Sequence, residues 1–274
     1  LKDNEFLLFV TTYFCGINYS NPNSSNFTIR HCATESARGR IISKFHEDKN
    51  GDIFIGTDDG GLFIYNPIKD KCHRYTIDKS NPNLNIHAIW SNDTYLWIGT
   101  YSKGLYRINH KTKYVEHIPY FEKDGITNES IYSIHEDLSG KIWIGTKTAI
   151  WTWTKKHGFI KEKELGYNSD IIAICEDLKG SIWFASLNKG ILKYTPTTHN
   201  ITHISKGSNG IKIPNEITSM SLHMDYLFIG TSGQGLIKYH IPTESITKEK
   251  CSNIEMEHLC LLYTSDAADE EDSI

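Results

Sequence analysis

One six-residue phrase, Lys141-Ile142-Trp143-Ile144-Gly145-Thr146, returns along the whole chain with small changes, and its spacing limits the possible folds more than any other feature. Leu96-Trp97-Ile98-Gly99-Thr100, Ile53-Phe54-Ile55-Gly56-Thr57 and Leu227-Phe228-Ile229-Gly230-Thr231 are close copies. Ile182-Trp183-Phe184-Ala185-Ser186 changes both small residues, and Leu7-Leu8-Phe9-Val10-Thr11 is a degenerate first copy. Counted at the Gly position, the anchors fall at 10, 56, 99, 145, 185 and 230, in steps of 46, 43, 46, 40 and 45 with a mean of 44 residues. Self-similarity at such a period marks a repeat architecture, in which each unit buries its apolar faces against its neighbours.

The surroundings of each anchor repeat too. An alternating run such as Ile131-Tyr132-Ser133-Ile134-His135-Glu136-Asp137 comes first, then a tight turn, Leu138-Ser139-Gly140. After the anchor comes a second turn such as Ser102-Lys103-Gly104, then a third run, Leu105–Ile108, and a fourth, Tyr114–Ile118. Short β-branched or aromatic runs bounded by Gly, Asn, Asp and Ser are strand and hairpin signals. Four such strands per repeat predict an all-β propeller of four-stranded blades, with no ten-residue helical pattern in any unit. The anchor strand is apolar at consecutive positions, which places it mid-blade and covered on both faces. Its Trp or Phe should fill the wedge between blades, and its Gly or Ala should let neighbouring backbones approach. The expected blades are 1–40 with the first strand nearly missing, then Ile41–Ile77, Ile86–Ile118, Ile131–Lys161, Ile171–Ile204 and Ile217–Glu249. In the fourth unit Ala149-Ile150 replaces the usual Gly-Leu. The polar inter-blade links and the middle turns should emerge on one face, where repeat scaffolds present binding loops.

Composition narrows the function classes. A net charge of −4 over 274 residues offers no basic stripe, which argues against a nucleic-acid partner. No apolar run approaches the roughly eighteen residues of a membrane span. The six cysteines at 15, 32, 72, 175, 251 and 260 form no C-x-x-C pair, which excludes a zinc ribbon. Their wide spacing reads as scattered free thiols rather than a disulfide framework. No G-x-S-x-G, P-loop or H-E-x-x-H motif is present, and neither a metal nor a cofactor is expected. His46-Glu47-Asp48, His135-Glu136-Asp137 and Cys175-Glu176-Asp177 invite a metal or acid/base reading. Because they recur in register at the end of the first strand, a structural role is the better one, with Asp capping the hairpin turn that Gly51, Gly140 and Gly180 complete. Asp48-Lys49-Asn50-Gly51-Asp52 opens like a calcium-binding loop, but Ile53 and Asp59 stand where Gly and Glu are required.

Asp137-Leu138-Ser139-Gly140-Lys141-Ile142-Trp143-Ile144-Gly145-Thr146 resembles the two-component regulator propeller repeat. So does Gly56-Thr57-Asp58-Asp59-Gly60-Gly61-Leu62-Phe63-Ile64-Tyr65-Asn66. The structural anchors are Gly56, Thr57, Trp97, Gly99, Thr100, Trp143, Gly145, Thr146, Trp183, Gly230 and Thr231. The resemblance covers residues 1–259. It implies the periplasmic sensor region of a Bacteroidetes-type hybrid two-component system, an inner-membrane protein that works as a homodimer. In such systems two seven-bladed propellers and a β-sandwich precede a membrane span and the kinase, receiver and DNA-binding modules. It further implies recognition of an oligosaccharide or sugar ligand to control carbohydrate use, with no catalysis in this stretch. Cys260–Glu270 breaks the register and resembles a translated sequencing adapter. The natural sequence is therefore expected to stop near Leu259, leaving 260–274 outside the fold and a piece cut at both ends. Ile254–Leu259 would then begin a further blade and could pair with Phe6–Val10.

A sugar site needs hydrogen-bonding groups and an aromatic face converging in a concavity. The middle turns offer both, in Asp58, Asp59, Tyr101, Lys103, Lys147, Asn188, Lys189 and Gln234. Two other classes compete with the sensor. A propeller enzyme, a lyase or glycosidase, would cluster His, Glu, Arg or Tyr at the channel mouth, differing between blades. A purely structural propeller would bind nothing.

Overall fold

The computed structural model of the chain describes residues 8–12, 16–20, 27–30, 32, 41–118, 130–166, 169–232 and 234–249. The adapter-like tail, the strand expected at Ile254–Leu259 and its pairing with Phe6–Val10 lie outside the described residues, although Leu8–Thr12 is itself a strand.

The first repeat is a three-stranded sheet, Leu8–Thr12, Gly16–Ser20 and Phe27–Arg30. Five four-stranded antiparallel blades follow, each a meander in chain order. Blade two runs Ile42–Glu47, Ile53–Thr57, Leu62–Asn66 and Lys71–Tyr75. Blade three spans Ile86 to Ile118, blade four Ile131 to Lys161, blade five Ile171 to Ile204 and blade six Ile217 to Glu249. The first strands of consecutive blades abut one another, so they form the inner wall of the propeller.

The anchor is the second strand of every blade. In blades two, four and five all five of its residues are buried. Its aromatic residue enters the wedge toward the next blade. Trp97 packs with Ile131 and Trp151 of blade four, and Trp183 with Ile217 and Tyr239 of blade six. Trp143 packs with Ile171 and Phe184 of blade five. Its glycine sits where no side chain fits. A Cβ on Gly56 would lie 2.6 Å from Ile86, one on Gly99 2.5 Å from Ile131, and one on Gly145 2.3 Å from Ser133 Oγ and 2.7 Å from Ile171. Each Ile is the first residue of the next inner strand.

The two turns flanking the anchor are built by side chains the repeat supplies. Asp137 Oδ1 accepts the N–H groups of Ser139 and Lys141, both at 3.0 Å. Asp177 does the same for Lys179 and Ser181, both at 2.9 Å. Gly140 takes the left-handed backbone that closes this turn, φ 78°. The second carboxylate oxygen reaches the wedge and accepts the indole N–H, 2.7 Å for Asp137–Trp143 and 2.8 Å for Asp177–Trp183. At the other end the anchor Thr caps the middle turn. The hydroxyls of Thr57, Thr100 and Thr231 donate to the carbonyls of Gly61, Gly104 and Gly235 at 2.8, 2.6 and 2.8 Å. In blade four Thr146 donates to Ala149 at 3.0 Å. That turn is one residue shorter and needs no residue with positive φ, which is why Ala149 can stand where the other blades have Gly.

The cysteines correct the free-thiol expectation. Cys32 and Cys72 form a disulfide, with Cα atoms 5.3 Å apart. Their separation of 40 residues is close to one repeat, and the bond ties Cys32, just past the last strand of the first sheet, to the fourth strand of blade two. Cys175 is free. Cys15, Cys251 and Cys260 lie outside the described residues.

Gly145→Ala is expected to destabilise the fold by about 1–3 kcal/mol through overpacking. Ile171→Ala alone leaves a cavity and costs about 2–5 kcal/mol. Because the two residues share one contact, the double variant should lose clearly less than the sum of the single losses, as urea-denaturation midpoints would reveal.

Candidate functional site

Each middle turn is tied to the start of its own inner strand by one backbone bond. Asp58 N–H donates to Ile41 at 3.0 Å, Tyr101 to Asn85 at 2.9 Å, and Lys147, Leu187 and Ser232 to Ser130, Asp170 and Glu216 at 3.1 Å each. This brings the middle turns and the ends of the links onto one rim around the inner strands. The inner strands carry a further device there. Every one has a register irregularity after its first residue, at Ser43, His87, Tyr132, Ile172 and Thr218. Such bulges re-aim one side chain out of the strand's alternation.

Three of the re-aimed or rim side chains meet. His87 lies between Tyr101 and Tyr132, with ring centroids 5.7 and 5.6 Å away. His87 Nε2 is 3.4 Å from Asp58 Oδ1. Burial raises the Tyr132 hydroxyl above its usual pKa, and the Asp170 carboxylate adds to the effect. Tyr101 is 46% exposed, so one aromatic face is open to solvent. Among the described residues, Asn85 Oδ1 and His87 Nε2 are buried polar atoms without a hydrogen-bond partner. The rim over blades two to five is thus an aromatic and polar patch of Asp58, His87, Tyr101, Tyr132 and Asp170.

Of the eight residues expected from sequence, only Asp58 and Tyr101 join this patch. Gln234 accepts a hydrogen bond from Lys248 Nζ at 3.3 Å and lines a separate cleft of 560 Å³ with Lys206 and Lys212. Asp59, Lys103, Lys147, Asn188 and Lys189 are exposed and lie on their own turns. The backbone carbonyl of Lys103 is held by His117 at 2.7 Å. Sequence reasoning missed His87 and Tyr132, because strict alternation gives no sign of a bulge. The available signal was the column itself, where Ser43, His87, Tyr132, Ile172 and Thr218 differ while their neighbours repeat.

Members of the His-Glu-Asp and Cys-Glu-Asp triplets make structural contacts between blades. His46, Trp90 and His135 form a row of tilted and edge-on ring contacts across blades two, three and four, with centroids 5.3 and 5.1 Å apart. His46 Nε2 accepts the Ser91 N–H at 3.0 Å, which requires that nitrogen to be bare. Glu136 accepts the Trp90 indole N–H at 3.2 Å and the Asn92 amide at 2.7 Å, and Glu176 accepts the Leu138 N–H at 2.7 Å. Among the described residues no group of three or more His, Cys, Asp or Glu is placed to hold a metal ion, and no helix is long and apolar enough to cross a membrane.

No family model matches the chain. A curated histidine kinase, P4 of Formosa agariphila, is 27% identical over 137 residues, 48% of this chain and 10% of that protein. The extracellular domains of two putative hybrid two-component systems from B. thetaiotaomicron superpose with TM-scores of 0.67 and 0.70. Both are 19% identical, over 92% and 94% of this chain and 36% and 33% of theirs. The fold is therefore a β-propeller of the kind found in those extracellular domains. The chain spans about a tenth of the curated relative and about a third of the solved ones.

Burial lowers the pKa of both His46 and His135 to about 4. An unfolded histidine titrates near 6.5, so between these values the unfolded chain binds more protons and stability rises with pH. The contribution, up to about 3 kcal/mol per histidine, is complete above pH 6.5 and is lost as pH falls toward 4. Burial also raises Glu47 and Glu176, which offsets part of the loss at the acid end. Thermal melts should drop steadily from pH 6.5 to 4.5, and His135→Phe should make that drop shallower.

Proposed function

We propose that this chain is a ligand-sensing propeller from the extracytoplasmic, periplasmic part of a hybrid two-component sensor that controls carbohydrate use. The observation that carries this reading is the in-register repeat on a fold like that of the B. thetaiotaomicron extracellular domains. Similarity to a histidine kinase supports it. The Cys32–Cys72 disulfide fits an oxidising compartment. In this reading the five four-stranded blades and the three-stranded sheet belong to a seven-bladed propeller. The chain is non-catalytic, an oligosaccharide or sugar is the ligand, and the full-length sensor is a homodimer. Ligand binding shifts the packing of the propeller against its neighbours, and the sensor's two-state equilibrium moves by the difference in ligand affinity between the states.

A second reading, a propeller lyase or glycosidase, has one observation in its favour: His87, Tyr101 and Tyr132 gather on the rim of the inner strands, at positions that differ between blades. The same patch serves binding equally well, since the open Tyr101 face and the neighbouring polar groups suit a sugar without turnover.

Sequencing the flanks of this reading frame in an adapter-trimmed assembly tests the proposal. Further repeats, a β-sandwich, one membrane span and a histidine kinase are expected. A frame that ends after one more blade would overturn the sensor reading, and turnover of polysaccharide fragments by the chain would then favour the enzyme.

A further inference from the structure

Four wedges between successive blades are described, from two/three to five/six, and one of them is built differently. Trp97, Trp143 and Trp183 fill three of them, at 0–1% exposure. In the wedge between blades two and three the same column carries Phe54, packed with Leu96, Ile108 and Tyr75. Phenylalanine is smaller than tryptophan and has no N–H, which has two consequences. The first is volume: a cavity of 740 Å³ opens in this wedge on the face opposite the middle turns, within the range of small-molecule sites. The second is a carboxylate oxygen with no indole N–H to accept. Asp137 and Asp177 each spend one oxygen on an indole N–H. The corresponding oxygen of Asp48 has only the exposed Asn50 amide, at 3.1 Å, and Asp48 lines the cavity.

We propose that this wedge is a binding site for a neutral saccharide of one or two rings. The floor is apolar, from Phe54, Ile64, Leu96 and Ile108, and Tyr75 offers an aromatic ring beside it. Sugar rings have apolar C–H faces that pack on such surfaces. Above the floor stand Asp48, Asp52 and Glu136, which accept hydrogen bonds from ligand hydroxyls. Lys49 pairs with Asp93 across the wedge, so its charge is already met. Among the other charged side chains lining the cavity, the carboxylates of Asp48, Asp52 and Glu136 outnumber the single Lys113 cation, so an anionic ligand is disfavoured, since like charges in one site repel. The choice of a saccharide among hydroxyl-rich ligands rests on the sensing reading above, whereas the cavity and its charge do not.

Calorimetric titration of the 274-residue chain with neutral mono- and disaccharides, alongside glucuronate and galacturonate, tests the site. At least one neutral sugar is expected to bind, and the acidic sugars more weakly by about tenfold or more. Phe54→Trp should fill the cavity and donate to Asp48, raising the melting temperature while reducing sugar affinity by about tenfold or more. Asp48→Asn keeps an oxygen for the Asn50 and Asp52 N–H groups and so preserves the turn. It should weaken binding by a similar factor with little change in melting temperature. The inference is overturned if no neutral sugar binds, if acidic sugars bind better, or if Asp48→Asn binds like the unaltered chain. Binding retained in a stabilised Phe54→Trp variant would overturn it as well. Flanks lacking a membrane span and kinase would remove the sensor reading and leave these binding outcomes unchanged.

Discussion

The contact on which the rest depends is the one between the glycine of each anchor strand and the isoleucine that begins the next inner strand. A Cβ at Gly56, Gly99 or Gly145 would overlap that neighbour at 2.5–2.7 Å, so the approach is possible only because the side chain is absent. Consecutive blades can then pack backbone against side chain near the inner wall and open outward. The widening gap needs a large, flat, apolar filler, and tryptophan two positions earlier in the strand provides it. Glycine and tryptophan in this phrase are thus one device, a close approach at one end of the wedge and a plug along its length.

The blades are not equivalent, and their differences concentrate in the wedges. Blades four and five carry the full set, with Asp holding both its turn and the indole N–H. Blade three has a turn one residue shorter, with Asn92 in the Asp place, and the Trp97 N–H has no partner among the described residues. There Arg107 inserts between Tyr95, Trp97 and Trp153, 4.8–5.1 Å from their ring centres, so cation–π attraction stands in for the missing bond. Blade two drops the tryptophan altogether and leaves a cavity. A repeat that breaks its own rule without an evident structural gain marks a place where something other than stability is served.

Much of the fold was legible because its signals are local. The blade from Ile86 to Ile118 begins and ends where the repeat pattern places it, and the Asp-led turns follow from residue types within five positions of one another. The candidate site was legible only in part. Asp58 and Tyr101 were within reach because middle turns are recognisable. His87 and Tyr132 were not, since a bulge shifts one residue against the alternation without changing any residue type. The disulfide was hidden for a related reason. Spacing rules for cysteines describe pairs joined through short loops, whereas Cys32 and Cys72 meet because two repeats stack.

By itself the sequence determined the period, the strand count of each unit and the turn chemistry, all set by side chains acting on their own backbone or an adjacent strand. Tertiary structure alone decided what converges: the rim patch around His87, the ring row of His46, Trp90 and His135, the Cys32–Cys72 bond, and the cavity beside Phe54. Each of these brings together residues from different repeats. Their meeting depends on how closely and at what angle two blades pack, and that is a property of the pair, which neither repeat encodes alone.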